Sequence, residues 1–140
     1  MPIVFRSEKI SFIPKRKKLL AAWIESLIRT NGKTPVEIHF VFCSDAFLLL
    51  LNKKYLKHDT FTDIITFDYS EEKRIIGEIY ISIPRVKSNA KEFKVEFENE
   101  LERVIIHGIL HLLGYDDKTK KDKAEMRKME DACLKKLEWK

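Results

Sequence analysis

The chain has 140 residues, 44% of them apolar and 35% charged, with a formal net charge of +5 at pH 7. That length supports one domain with a real core, and the apolar share excludes a disordered chain. The basic excess suits a polyanionic partner without requiring one, since a basic soluble surface is equally common.

The opening Met1-Pro2-Ile3-Val4-Phe5-Arg6 lacks a signal-peptide layout, and no apolar run approaches ~20 residues. A cytoplasmic protein with no membrane span is expected. Ile3 to Phe5 reads as a first strand. Pro14 is expected to open a helix, where its missing N–H does no harm. Leu19, Leu20, Trp23, Ile24, Leu27 and Ile28 recur at helical spacing before the Asn31-Gly32 stop. Lys15 to Lys18 then sit at the wrong end for the helix dipole and read as a solvated rim. Val36, Ile38, Phe40 and Phe42 alternate as a strand, with His39 on its more polar face. Ser44 caps a helix over about Asp45 to Tyr55. The following Leu56-Lys57-His58-Asp59-Thr60-Phe61-Thr62 is too polar and varied for a bare connector. Asp63 to Tyr69 and Ile75 to Ile83 read as an antiparallel hairpin across a five-residue loop. Pro84 starts a short helix to about Phe93.

A long helix follows from about Glu96 to Leu113, with Phe97, Leu101, Val104 and Ile105 as its inner stripe. The last helix runs from about Thr119 to Leu137. The order β-α-β-α-β-β-α-α-α implies an α+β domain spanning residues 1–140, with a small mixed β-sheet covered by helices. Cys43 and Cys133 form no Cys-x-x-Cys pattern, so no disulfide framework is implied and a reducing cytosol fits.

The chemistry concentrates in His107-Gly108-Ile109-Leu110-His111-Leu112-Leu113-Gly114-Tyr115-Asp116-Asp117. The preceding Val104-Ile105-Ile106 makes this helix apolar nearly all round, hence buried. Buried imidazoles need partners. His107 and His111, four apart, project from one face. Gly114 ends the helix cheaply in the left-handed region, and Asp117 can swing back toward both rings. Three ligands leave a zinc position open for water, the pattern of a catalytic site. Asp116 is the alternative third ligand, with Asp117 then a loop cap. The spacing also matches the zincin His-Glu-x-x-His pattern, but Gly108 stands where those proteases carry their glutamate base. That disfavours peptide hydrolysis.

His107-Gly108-x-Leu110-His111-Leu112-x-Gly114-Tyr115-Asp116 resembles the signature of the YbeY family of bacterial metal-dependent endoribonucleases. Leu51-Asn52-x-x-Tyr55-x-x-x-Asp59-x-x-Thr62-Asp63-Ile64-Ile65-Thr66-Phe67 resembles the family's central block, and Ile76-Gly77-Glu78-Ile79-Tyr80-Ile81-Ser82 its next strand. The resemblance implies a zinc-binding α+β domain that cleaves single-stranded RNA, acting in 16S rRNA 3′-end maturation and ribosome quality control. Its metal ligands map onto His107 and His111. The family's usual third histidine is Asp117 here, and the arginine many members carry after the tyrosine is Leu56. Lys57, His58 or Arg85 could supply that missing charge. An aspartate ligand makes the site less electropositive and makes manganese or another hard cation more plausible beside zinc. Proton transfer falls to water on the metal, to Asp116, to His58 or to solvent. Hydroxide attack on phosphorus and internal attack by the ribose 2′-OH both remain open. Two other readings compete: a non-catalytic ribosome-assembly factor with a structural metal, and a zincin-like metallopeptidase.

Overall fold

The computed structural model describes residues 2–137. In chain order it contains β1 (Ile3–Glu8), α1 (Lys17–Thr30), β2 (Thr34–Cys43), α2 (Asp45–Leu51), β3 (Ile64–Asp68), β4 (Arg74–Ser82), α3 (Ile83–Phe93), α4 (Phe97–Leu112) and α5 (Lys120–Lys135). The strands form one mixed sheet in the order β1-β2-β4-β3. β1 and β4 run parallel to β2, and β3 runs antiparallel to β4. The α+β class and the element order follow the sequence expectation. No helix among the described residues is long and apolar enough to cross a membrane.

Three element boundaries differ from that expectation by three residues or more. β1, expected over Ile3 to Phe5, runs on to Glu8. Pro14 does not open α1: it lies buried in an extended segment, and the helix begins at Lys17 after a left-handed Arg16 (φ 55°). The neighbouring Phe12 ring explains the delay. It packs edge-on against Phe42 and Phe97, with centroids 5.2 and 5.9 Å apart, and holds the segment before the helix against the edge of the core. The helix expected to reach Tyr55 is α-helical only to Leu51 and continues as a π-helical turn over Asn52–Leu56. Asn52 drives that widening. Its side-chain amide donates to Thr60 O (2.8 Å) and its carbonyl accepts from His58 N (3.1 Å), which draws the following loop under the turn.

One face of the sheet carries the main core. Ile38, Phe40 and Phe42 of β2 and Ile75, Ile79 and Ile81 of β4 meet Ile24 and Ile28 of α1 and Ile105, Ile106 and Ile109 of α4. Each such side chain contributes about 1.5–3 kcal/mol on full burial. The other face holds a smaller cluster of Cys43, Leu48 and Ile65. Burial there pushes the Cys43 thiol up to about 12, which makes it inert. Trp23 Nε1 donates to Cys133 O (3.1 Å), pinning α5 to α1.

α4 lies close on the sheet because Gly108 has no side chain. A Cβ there would sit 3.0 Å from Ile64 Cδ1 and 3.1 Å from Ile79 Cδ1 and Cγ2. A side chain at this position would point at β3 and β4, and Ile64 and Ile79 would have to shift to admit it. The missing protease base thus goes with the close packing of α4 on the sheet. At its far end α4 stops in a Schellman motif: Gly114 takes φ 103°, Tyr115 N donates to Leu110 O (3.0 Å) and Gly114 N to His111 O (3.0 Å). Lys33 Nζ donates to Leu113 O (3.1 Å) and adds positive charge at the negative end of the helix.

Gly108→Val should destabilise the protein by about 1–3 kcal/mol through overpacking. Urea unfolding measures it, and an unchanged midpoint would contradict the close approach of α4 to the sheet.

Candidate active site

His107 and His111 occupy successive turns of α4, and the Schellman turn carries the chain back over them to Asp117. The three side chains converge. His107 Nε2 is 3.1 Å from His111 Nε2 and 3.3 Å from Asp117 Oδ2, and His111 Nε2 is 3.6 Å from Asp117 Oδ2. Tetrahedral zinc bound at ~2.0–2.1 Å spaces its ligand atoms about 3.3 Å apart. The observed separations bracket that value, so this donor set fits a divalent metal ion. Asp116 faces elsewhere: it is exposed and lines a shallow neighbouring pocket with Asp122 and Glu125.

The ring of His107 is held from behind. Its Nδ1 lies 2.7 Å from Glu130 Oε2, and Glu130 is only 5% exposed. A carboxylate can only accept, so Nδ1 carries the proton and the Nε2 lone pair turns to the other donors. Arg103 extends the chain, donating from one guanidinium nitrogen to Glu130 Oε1 (2.8 Å) and from another to Asp131 Oδ1 (2.7 Å). Burial lowers the His107 pKa. The Glu130 hydrogen bond and the charges of Glu130, Asp117 and Asp63 outweigh burial and carry it above the ordinary imidazole value. The site thus favours positive charge at this point, whether a proton or a cation brings it. The capping box of Thr119 and Asp122 starts α5 at the register that delivers Glu130.

His107 and Asp117 open onto a cavity of about 460 Å³, whose lining does not include His111. Its walls come from Asp63 and Ile64 at the start of β3, Asn89 and Phe93 on α3, Glu100 and Arg103 on α4, and Lys123 and Arg127 on α5. Asp63 Oδ2 accepts from Asn89 Nδ2 (3.1 Å). Burial raises the Asp63 carboxyl above its ordinary range, against its own backbone N–H and the charges of His107 and Arg85. Glu100 is raised too, first by burial and then by the Asp63 charge, with Arg103 and Arg127 pulling it back.

Sequence reasoning brought His107, His111 and Asp117 together correctly but missed Glu130, Arg103, Asp63 and Asn89. Asp63 was in view only as the start of a strand; its place beside Asn89 is 26 residues from local. His58 is exposed and does not line the cavity. Arg85, one candidate for the missing loop charge, is already neutralised: Asp45 takes its Nε at 3.3 Å and a terminal nitrogen at 2.6 Å.

A family model described as Endoribonuclease YbeY matches residues 3–138. The chain belongs to the YbeY family. An Endoribonuclease YbeY of Flavobacterium psychrophilum is 49% identical over 127 residues, covering 91% of both chains. One of Amoebophilus asiaticus is 49% identical over 133 residues, covering 94% of this chain and 90% of its own. The solution structure of TM1509 from Thermotoga maritima superposes with a TM-score of 0.69 at 32% identity, covering 96% of this chain and 88% of that one. Membership brings this YbeY-family chain an RNA endonuclease role at the family level.

Two measurements probe the site. Glu130→Ala should weaken divalent-metal affinity roughly 10–100-fold, as losing a partner behind a ligating histidine does. Chelator competition reads this, and wild-type affinity in the variant would show that Glu130 does not orient His107. Glu100→Gln should stabilise the metal-free protein at neutral pH. The folded-state pKa of Glu100 is raised, so its contribution is fully present below the ordinary carboxylate pKa of about 4.3 and lost as pH rises through the folded value. Thermal melts should separate variant from wild type at pH 7 and merge them near the ordinary carboxylate pKa; a gap that persists in acid points to another cause.

Proposed function

We propose that this protein is a single-domain, zinc-dependent endoribonuclease specific for single-stranded RNA. It acts in the cytoplasm on 16S rRNA at the ribosome, in 3′-end maturation and quality control. The observation that carries this reading is the convergence of His107 Nε2, His111 Nε2 and Asp117 Oδ2 beside a cavity, in a chain of this family. His107, His111 and Asp117 are the ligands of one ion. Zinc is the first choice, and manganese is admissible because Asp117 adds a hard, charged oxygen. When bound, the ion supplies Lewis acidity toward a phosphate oxygen.

The protein's own groups do the rest. Glu130 holds the His107 tautomer. Asp63, with its raised pKa and its place on the cavity wall, is better situated to hold or move a proton than Asp116 or His58, neither of which lines the cavity. Lys123 and Arg127 on the opposite wall are exposed and suited to backbone phosphates. A peptidase reading is disfavoured, because Gly108 supplies no carboxylate and a side chain there would point at Ile64 and Ile79.

His111→Ala is expected to lose metal by more than the roughly 10–100-fold of an outer-shell change, and RNA cleavage with it. Metal content and cleavage of a labelled single-stranded RNA, assayed together on wild type and variant, decide the matter. A wild type that carries stoichiometric metal but leaves RNA intact under every divalent ion would move the reading to a non-catalytic assembly factor.

A further inference from the structure

Beyond the metal donors, α3 presents one long face. Arg85, Asn89 and Phe93 are spaced four residues apart and so lie in line on the helix. Asn89 and Phe93 form part of the cavity wall. Arg85 lies beyond it, its guanidinium 4.8 Å from the centre of the Phe61 ring. Asp63 links the two parts: it is bonded to Asn89 and feels the charges of both Arg85 and His107. The line therefore begins and ends on an aromatic ring, and both rings are open: Phe61 is 53% exposed and Phe93 54%. Phe93 stands on the cavity wall and Phe61 carries the Arg85 guanidinium on one side, yet both rings stay open to solvent.

We propose that Phe61 and Phe93, with Asn89 between them, form a base-stacking track that leads single-stranded RNA across α3 to the metal centre. This rests on the endoribonuclease reading above and adds how the strand is held. The ~12 Å from Arg85 to Phe93, at 1.5 Å rise per residue, spans roughly three nucleotides at ~3.4 Å per step. Bases have π-faces whatever their sequence, so two rings grip a strand without choosing its letters. Asn89 donates to Asp63 through its amide nitrogen, which leaves its carbonyl oxygen to accept from a base edge. Charge complementarity comes from across the cavity. Lys123 and Arg127 stand four residues apart on α5, so phosphates would face α5 while bases face α3. Arg85 is not the phosphate contact, because Asp45 already pairs with it; it backs the Phe61 ring instead.

The test compares a labelled single-stranded RNA with an abasic strand of equal length, by fluorescence anisotropy on the full chain loaded with zinc, under conditions that block turnover. Wild type should bind the normal strand roughly tenfold more tightly than the abasic one. Phe61→Ala and Phe93→Ala should each shrink that difference several-fold while leaving abasic binding and metal content unchanged, and Phe93→Trp should restore it. If wild type binds and cleaves RNA but ignores the bases, or if both alanine variants keep the full difference, the track is wrong and this face serves another partner, such as a protein. If wild type neither binds nor cleaves, the endoribonuclease reading falls and takes the track with it.

Discussion

The site depends on one close approach. At Gly108 only a hydrogen separates α4 from the side chains of Ile64 and Ile79, so helix and sheet pack more closely than a larger residue would fit without those side chains shifting. His107 precedes Gly108 directly, and His111 lies on the next turn. The direction in which both rings leave the helix is thus set by which face Gly108 must turn to the sheet. The apolar residues Ile105, Ile106 and Ile109 lock that rotation from inside the core. A helix free to roll about its axis could not hold two imidazole nitrogens 3.1 Å apart.

A second constraint closes the site from outside. α5 is polar along most of its length, and of its residues only Met126, Glu130 and Cys133 are buried. Glu130 is the unusual member of that set. A buried carboxylate is costly unless charge and hydrogen bonds compensate it, and here Arg103 and His107 do so together. The result is a chain from Asp131 through Arg103 and Glu130 to the ring of His107. It ties α5 to α4 and selects the tautomer that leaves the Nε2 lone pair available to a cation. The group that stabilises the helix pair is also the one that prepares the site.

The cavity divides its labour by wall. α5 offers exposed cations, α3 offers an amide and a ring, and His107 and Asp117 complete the lining with the protonatable Asp63.

Much of this was legible in the residue order. The periodicity of β2, β4, α1 and α4 marked the elements and their buried faces, and the spacing of His107, His111, Gly114 and Asp117 announced a helix, a stop and a returning ligand. These are local signals, encoded by repeats of two and 3.6 residues and by glycine's access to positive φ. Other features were not legible. Pro14 looked like a helix start because nothing near it in sequence reveals that Phe12 must reach Phe42 and Phe97. Nothing in the spacing singled out Glu130 or Arg103, and Asp63 read as the start of a strand. Each acquires its role from a neighbour 23 to 27 residues away. The sequence by itself determined the elements, the grouping of His107, His111 and Asp117, and the family. Only the tertiary structure decided which carboxylate faces His107, which charge is spent on Asp45 and which rings stay open. Periodicity specifies how a segment coils and which side it buries, whereas partners across the core follow from the angle and depth at which whole elements pack.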